Sequence, residues 1–114
     1  MYRDLDVWKK SMEIVKEIYI ITKKFPDDEK YGIVSQMRRA AISIPSNIAE
    51  GSARFSDEDS SRFLDIAIGS IAELETQLII SKDLGYIDNI EQILEKLKHI
   101  NSMSIKLKKY YNTL

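Results

Sequence analysis

The chain of 114 residues contains no cysteine, two prolines, four glycines and one histidine. The lack of cysteine excludes disulfides, thiolate catalysis and cysteine-ligated zinc or iron–sulfur sites. So few glycines and prolines provide little turn chemistry for a sheet and no flexible linker. No run of about 18 apolar residues is present to span a membrane, and the charged N-terminus lacks the apolar segment of a signal peptide. We therefore expect one cytoplasmic domain over residues 1–114, with no membrane partner.

An excess of charge of one sign is also missing, because 17 lysines and arginines almost cancel 18 aspartates and glutamates. The formal net charge is -1 at pH 7. The whole protein is therefore not a polycation. Any binding to nucleic acid would have to come from a local basic patch, or from a patch that assembly of several copies enlarges.

The most informative stretch is Tyr31 to Arg54, which reads as one helix with a proline inside it. One apolar stripe at helical spacing comprises Ile33, Met37, Ala41, Ile44 and Ile48. A second apolar side comprises Val34, Ile42, Pro45 and Ala49. Because proline lacks a backbone N–H and crowds the preceding turn, Pro45 predicts a kink in helix 2 near this residue. The alternative is a helix that ends before Pro45 and restarts after it.

A polar seam is predicted beside the first stripe, where short polar side chains can form hydrogen bonds across a helix–helix contact. Its members on helix 2 are Gln36, Ser43, Asn47 and Glu50, and Glu73 and Glu75 on helix 3 extend it. The carboxylates lie in otherwise apolar helices, so we expect them to be buried and hydrogen-bonded or paired with an arginine such as Arg39 or Arg54.

Three further helices follow from apolar spacing and end signals. Helix 1 begins near Asp4 or Asp6, either of which could cap it. Its apolar stripe comprises Leu5, Trp8, Met12, Val15, Tyr19 and Thr22, and Ile14, Ile18 and Ile21 widen it. Trp8 is interpreted as a core anchor rather than as a platform for base stacking. Helix 3 runs from a Ser56 cap to about Asp83 and is ended by Gly85. Helix 4 follows a cap at Asp88 or Asn89, and its apolar positions extend to Leu114.

Two apolar faces are also predicted for helix 3. One face comprises Phe63, Ala67, Ser70, Ile71, Leu74 and Leu78, and the other comprises Leu64, Ile68, Ala72 and Ile79. Four helices with short connections favour an all-α, antiparallel up-down four-helix bundle. A monomeric bundle needs one apolar face on each helix, so the extra faces of helices 2 and 3 predict self-association.

No catalytic, cofactor-binding or metal-binding constellation is recognisable in the sequence. A di-iron carboxylate bundle would need a Glu-x-x-His motif on each of two helices. The chain offers only His99, four residues after Glu95, which we interpret as a surface or half-buried residue. No serine has a base placed for nucleophilic catalysis, and no glycine loop could hold a phosphate. An enzymatic role is therefore not expected.

Three segments resemble a known family: LDVWKKS from Leu5 to Ser11, YGIVSQMRRAAISIPSNIAEGSAR from Tyr31 to Arg54, and FLDIAIGSIAELETQLIISKDLGYI from Phe63 to Ile87. They are similar to the bacterial four-helix-bundle family first named from proteins encoded in intervening sequences of 23S ribosomal RNA genes. The resemblance implies a ring-shaped homopentamer. It also implies likeness to the accessory variability proteins of diversity-generating retroelements, which partner a reverse transcriptase and nucleic acid.

Two functional hypotheses remain open. In the first, a homo-oligomer binds RNA or a nucleoprotein through a basic surface multiplied by symmetry. The candidate contacts are Arg38, Arg39, Arg54, Lys106, Lys108 and Lys109. In the second, the protein is an oligomeric scaffold or protein-interaction module, and the arginines pair with Glu50, Glu73 or Glu75 at subunit contacts. The C-terminal lysines also suit the helix dipole, so a merely solvated face is the alternative for them.

Overall fold

A computed structural model describes residues 1–113, so the expected position of Leu114 on the last helix lies outside the described residues. The chain forms four α-helices: α1 (Asp6–Thr22), α2 (Ile33–Ser52), α3 (Asp57–Asp83) and α4 (Glu91–Asn112). Short 3-10 turns at Tyr2–Asp4 and Asp27–Glu29 precede α1 and α2. Among residues 1–113, no helix is both long enough and apolar enough to cross a membrane.

The helices form an up-down bundle measuring 46 × 24 × 20 Å. Each helix packs beside the next one in the chain, and α4 closes the arrangement against α1. The predicted all-α fold and bundle architecture are confirmed. All four helices contribute to the core, whose largest fully buried side chains are Ile14, Ile18, Met37, Ile44, Ile48, Leu64, Ile71, Leu74, Leu78, Leu97 and Ile100. The α1–α2 and α3–α4 connections lie at one end of the bundle, and the α2–α3 connection lies at the other.

Both ends of α3 form as the sequence predicts. The Ser56 hydroxyl accepts a hydrogen bond from the backbone N–H of Asp59 at 3.1 Å, so it caps the helix. At the other end, Gly85 adopts a φ of 80°, in the left-handed region that favours glycine. The N–H of Tyr86 then donates to the carbonyl of Ser81 at 2.9 Å, and the N–H of Gly85 donates to Lys82 at 3.0 Å. These two bonds satisfy carbonyls that the helix end would otherwise leave unpaired.

The starts of the other helices follow the predictions less closely. Ile90, rather than the predicted Asp88 or Asn89, occupies the cap position of α4, although Asn89 accepts a hydrogen bond from the N–H of Glu91 at 3.0 Å. The predicted cap of α1 is wrong, because Leu5 occupies the cap position and no side chain bonds there. Asp4 ends the preceding 3-10 turn, and Asp6 is already helical. The acids at 27–29 form a 3-10 turn of their own before α2.

Helix α2 is continuous from Ile33 to Ser52 and passes through Pro45. The alternative of a helix that ends and restarts is therefore excluded, while a kink at Pro45 stays a prediction. Pro45 itself is buried, so packing contributes to stability at a position where the backbone loses a hydrogen bond.

The buried stripe of α1 contains Ile14, Ile18 and Thr22 of the predicted stripe, but it is centred on the side that the isoleucines widen. Its buried residues are Val7, Ser11, Ile14, Ile18 and Thr22. Trp8, Met12 and Val15, which we expected at the centre of the stripe, are only half-buried. Trp8 packs against the edge of the core, with its ring 5.4 Å from that of Tyr2. Trp8 therefore packs against the core, as predicted, but at its edge.

Candidate interaction surfaces

The predicted polar seam is built around one contact between α2 and α3. The hydroxyls of Ser43 and Ser70 lie 2.7 Å apart. Asn47 reinforces Ser43 by donating its amide to the Ser43 hydroxyl at 2.9 Å and to the Ser43 carbonyl at 2.7 Å. Because the two helices are antiparallel, this contact also sets which residues lie at the same level along the bundle. It places Ala40 level with Glu73.

The remaining members of the seam do not join this network. Glu50 pairs with Arg54 at 2.6 Å, but both side chains are about half exposed, at 53% and 42%. Glu73 is also exposed, and its nearest hydrogen-bond donor is the Gln77 amide at 3.4 Å. Gln36 is exposed and Glu75 is half-buried. The expected burial of the carboxylates at 50 and 73 is therefore wrong for a single copy of the chain, because both project from the outer side of their helices.

The adjacent arginines of α2 have different surroundings. Arg38 donates its Nε–H to the Thr22 hydroxyl at 3.0 Å, and its guanidinium lies 4.4 Å from the centroid of the Tyr19 ring. Both partners belong to α1, so Arg38 links α1 and α2. Arg39 is exposed, and within residues 1–113 no carboxylate lies within ion-pair distance of it.

The other basic candidates also divide into residues that have a partner within the chain and residues that have none. Arg54 pairs with Glu50 and lies 4.5 Å from the Phe63 ring centroid. Lys108 pairs with Asp65 at 2.6 Å and so connects α4 to α3. Lys106 and Lys109 are exposed and have no ion-pair partner in the described part of the chain.

The three unpaired candidates do not form one basic patch in a single copy. Lys106 and Lys109 lie near the end of α4, at the end of the bundle where α2 also finishes. Arg39 lies thirteen residues before the end of α2, which is about 20 Å along the helix axis. A single copy therefore presents separate cations rather than a continuous positive surface.

The second apolar side of α2 faces a groove along α1. This α1–α2 groove has a volume of about 300 Å³ and is lined by Tyr2, Trp8, Met12, Val15, Ile42, Pro45, Ser46 and Ala49. Because α1 packs beside this side of α2, Val34 and Pro45 are buried within one chain. Ile42 remains 42% exposed. Our premise that the whole second face of α2 needs another copy is therefore wrong, since α1 covers much of it.

Helix α3 keeps a larger apolar surface exposed. This α3 ridge comprises Ile66, Gly69, Ala72, Glu73, Thr76, Ile79 and Ile80, all of which are exposed. Its three isoleucines are 41%, 48% and 43% exposed in chain order, and Glu73 is its one charged residue. The predicted second face of helix 3 includes Ala72 and Ile79 but not Ile66 and Ile80. Ile66 and Ile80 lie seven residues before and after Glu73, and this spacing indicates that all three residues share one side of the helix.

Comparison with known proteins places this fold in a family. The model of the family described as 23S rRNA-intervening sequence protein matches residues 3–106. The chain belongs to this family. This membership confirms the resemblance carried by the three sequence segments. No curated protein matches the chain.

A solved structure is also similar to this 23S rRNA-intervening sequence protein. It is a crystal structure of a protein with unknown function from the S23 ribosomal protein family of Bacteroides thetaiotaomicron VPI-5482. The TM-score is 0.83 and the sequence identity is 28%, over 90% of this chain and 95% of the other. The fold is therefore shared over almost the full length of both chains.

Two polar contacts in this family member join elements that are distant in sequence. The Tyr86 hydroxyl donates to Glu29 at 2.7 Å, and this hydrogen bond, with desolvation and the nearby negative charge, raises the pKa of Tyr86. The contact joins the α1–α2 connection to the α3–α4 connection. Lys96 donates to Glu17 at 2.6 Å between α4 and α1, and this hydrogen bond raises the pKa of Lys96.

The predicted absence of a metal-binding arrangement concerns the one histidine and the acidic side chains of the chain. His99 is exposed on α4. Among residues 1–113, no group of three or more histidine, aspartate or glutamate side chains is arranged to hold a metal ion. The surface features that the geometry does provide include the α1–α2 groove, the α3 ridge and the exposed cations.

Proposed function

We propose that this protein is a non-enzymatic homo-oligomeric helical bundle that acts as a scaffold or protein-interaction module. The α3 ridge carries the proposal, because three exposed isoleucines share a helix surface with one charged residue. Exposed apolar surfaces of this kind mark association sites, since burying them on a partner is favourable. The resemblance stated above suggests five subunits.

The contacts of the basic side chains within one chain favour this function over RNA binding. Arg38, Arg54 and Lys108 are held by partners within the chain, so three of the six candidate RNA contacts already have structural roles. The net charge of -1 gives a single copy little long-range attraction for phosphate.

Binding to RNA or a nucleoprotein is the second candidate. It is favoured by the exposure of Arg39, Lys106 and Lys109, which symmetry would multiply in an assembly. The names of this family and of the family of the similar structure refer to ribosomal RNA and to ribosomal protein. These names support an RNA-related context by association only.

The mass of the protein in solution tests the proposed function. Light scattering over a dilution series is expected to show an oligomer, with a mass of two or more chains. A monomer at every concentration would overturn the proposal, because the α3 ridge would then remain exposed to water.

A titration against single- and double-stranded RNA and DNA tests the second candidate at low and near-physiological salt. Binding that weakens log-linearly as salt rises would support phosphate contacts. The triple variant Arg39→Ala, Lys106→Ala, Lys109→Ala is then expected to lose binding, while Lys98→Ala, also an exposed lysine of α4, is expected to retain it. No binding at low salt would rule this candidate out.

A further inference from the structure

We infer that the α3 ridge of one copy docks on the α1–α2 groove of a second copy, with Glu73 of the ridge facing Arg39 beside the groove. This inference rests on the proposed self-association and names the two faces that form it. A convex apolar surface and a concave apolar surface occur on the same chain, so each copy can supply both halves of the contact.

The charges around the two faces are complementary. Arg39 on α2 and Lys9 and Lys16 on α1 are exposed on the outer sides of the two helices that form the groove. None of the three has an ion-pair partner among residues 1–113. The one charge on the ridge is the carboxylate of Glu73, which also lacks a cation within that part of the chain. Glu50, next to the groove residue Ala49, is also exposed, but its charge is offset by the ion pair with Arg54. A negative ridge would therefore meet a groove whose unpaired border charges are positive.

The spacing of the residues fits this pairing. Ile66 and Ile80 lie seven residues before and after Glu73, which is about 10 Å of helix axis in each direction. Ser46 of the groove lies seven residues after Arg39, again about 10 Å away. When Glu73 faces Arg39, one of the two isoleucines is therefore level with Ser46, over the groove. This holds whether the ridge runs parallel or antiparallel to α2.

A contact between two different faces has a consequence for assembly. It is heterologous, so repeated use closes a ring or continues as an open chain, whereas a two-fold dimer would use the same face on both copies. A symmetric contact centred on the ridge would instead bring Glu73 against its own copy, which is unfavourable for like charges.

Arg39 and Glu73 also lie at nearly the same level on the neighbouring helices α2 and α3 of one chain. The Ser43–Ser70 contact places Glu73 level with Ala40, the neighbour of Arg39, although Arg39 and Glu73 form no ion pair there. The experiment must therefore distinguish a contact between copies from a contact within a copy.

Mixing two charge-reversed variants makes this distinction. Glu73→Lys and Arg39→Glu are each expected to weaken association roughly tenfold or more, because like charges then face each other across the contact. In an equimolar mixture, two kinds of contact form between unlike variants. When the ridge of the Glu73→Lys variant docks on the groove of the Arg39→Glu variant, the two introduced charges are opposite. When the ridge of the Arg39→Glu variant docks on the groove of the Glu73→Lys variant, the native Glu73 and Arg39 face each other. Strict alternation of the two variants satisfies every contact only in a ring with an even number of subunits, so a ring of five would keep one unfavourable contact. Light scattering should therefore show a larger mass for the mixture than for either variant alone.

The controls are Glu95→Lys and Lys98→Glu, which make the same charge changes at exposed positions of α4 outside both faces. Both should keep the wild-type mass, and circular dichroism should show equal helicity for all variants. Retention of the wild-type mass by Glu73→Lys and Arg39→Glu, or a mixture that assembles no further than its components, would overturn the assigned faces. A monomeric wild-type protein would overturn self-association itself.

Cross-linking gives a second measurement, made simple by the absence of native cysteine. Ser46→Cys protein is mixed under oxidising conditions with Ile66→Cys or Ile80→Cys protein that carries a size tag. One of the two ridge variants is expected to form a mixed disulfide with Ser46→Cys, and the variant that does so reports the direction of the ridge. The absence of both mixed disulfides would contradict the docking.

Discussion

Arg38 on α2 donates its Nε–H to the hydroxyl of Thr22 on α1, at 3.0 Å. Its guanidinium also lies 4.4 Å from the centroid of the Tyr19 ring, so one side chain holds two points of the neighbouring helix. The next residue, Arg39, points to solvent. Two adjacent residues of identical chemistry therefore have different roles, because one helical step of about 100° separates an interhelical contact from the outer surface.

Alanine substitutions should separate the two arginines. Arg38→Ala is expected to lower the free energy of unfolding by about 1–2 kcal/mol, through loss of a hydrogen bond and a cation–π contact. Arg39→Ala should change it by no more than about 0.5 kcal/mol in the dissociated protein, as for other surface positions. Urea denaturation in dilute solution measures both values. Equal losses for the two variants would contradict the assigned roles.

The Ser43–Ser70 contact should behave as a coupled pair. Ser43→Ala is expected to cost about 1–2 kcal/mol, because Ser70 is 8% exposed and would lose its partner inside the bundle. Ser70→Ala should cost a similar amount, and the double variant should cost less than the sum. A double-mutant cycle by urea denaturation measures the coupling between the two hydroxyls. Ser102→Ala, at an exposed position of α4, is the control. Strict additivity would show that the two hydroxyls do not interact.

Two glycines within helices should respond in opposite directions to alanine. At Gly51, an added methyl group would lie 2.8 Å from Cδ2 of Leu64 and 3.0 Å from the backbone oxygen of Ser60. We expect Gly51→Ala to destabilise the protein by about 1–3 kcal/mol, since overpacking outweighs the gain in helix propensity. At Gly69 no atom lies within 4 Å of the added carbon, so Gly69→Ala should stabilise the isolated bundle by about 0.5–1 kcal/mol.

Thermal or urea denaturation of both glycine variants, in dilute solution, tests this pair. A stabilising Gly51→Ala would mean that α2 and α3 are farther apart at this point than described. Because Gly69 belongs to the α3 ridge, the mass of Gly69→Ala should be measured in parallel, so that an effect on association is not taken for an effect on folding.

The hydrogen bond between Tyr86 and Glu29 should make stability depend on pH in the alkaline range. It raises the pKa of Tyr86 above the unfolded value near 10, so the folded state holds the phenol proton more tightly. The associated stability is fully present below the unfolded pKa and is lost as pH rises through the folded pKa. Tyr86→Phe keeps the ring that packs 5.4 Å from Phe25 but removes the hydroxyl.

The measurement is the difference in unfolding free energy between the wild-type protein and Tyr86→Phe as a function of pH. Wild type should be the more stable protein at pH 8, and the difference should shrink above pH 10 as Tyr86 ionises. A difference that stays constant through this range would show that the hydroxyl of Tyr86 is not bonded to the carboxylate. Comparison with the variant removes the contribution of the other tyrosines.

Local chemistry explains what could be predicted from the sequence. The Ser56 cap and the Gly85 terminator follow from backbone groups that every helix end leaves unpaired, so neighbouring residues are sufficient to place them. Apolar spacing likewise predicts four helices, and short connections predict their antiparallel order. The Ser43 contact was foreseen as part of a seam, although its partner Ser70 was assigned only to an apolar face.

The centre of a wide apolar stripe was decided by the tertiary structure. Such a stripe can be rotated to several positions, and on α1 the packing of α2 and α4 buries Ile14 and Ile18 more deeply than Trp8. The roles of Arg38 and Arg39, which the sequence treats as one pair, were likewise assigned only by the packing of α1 on α2.

The sequence by itself therefore determined the four helices, both ends of α3, the bundle and the family to which the chain belongs. Only the tertiary structure decided that α1 covers much of the second face of α2, while the outer face of α3 stays exposed. The physical reason is that helix formation depends on contacts within a few residues, whereas burial depends on which neighbour lies against each face.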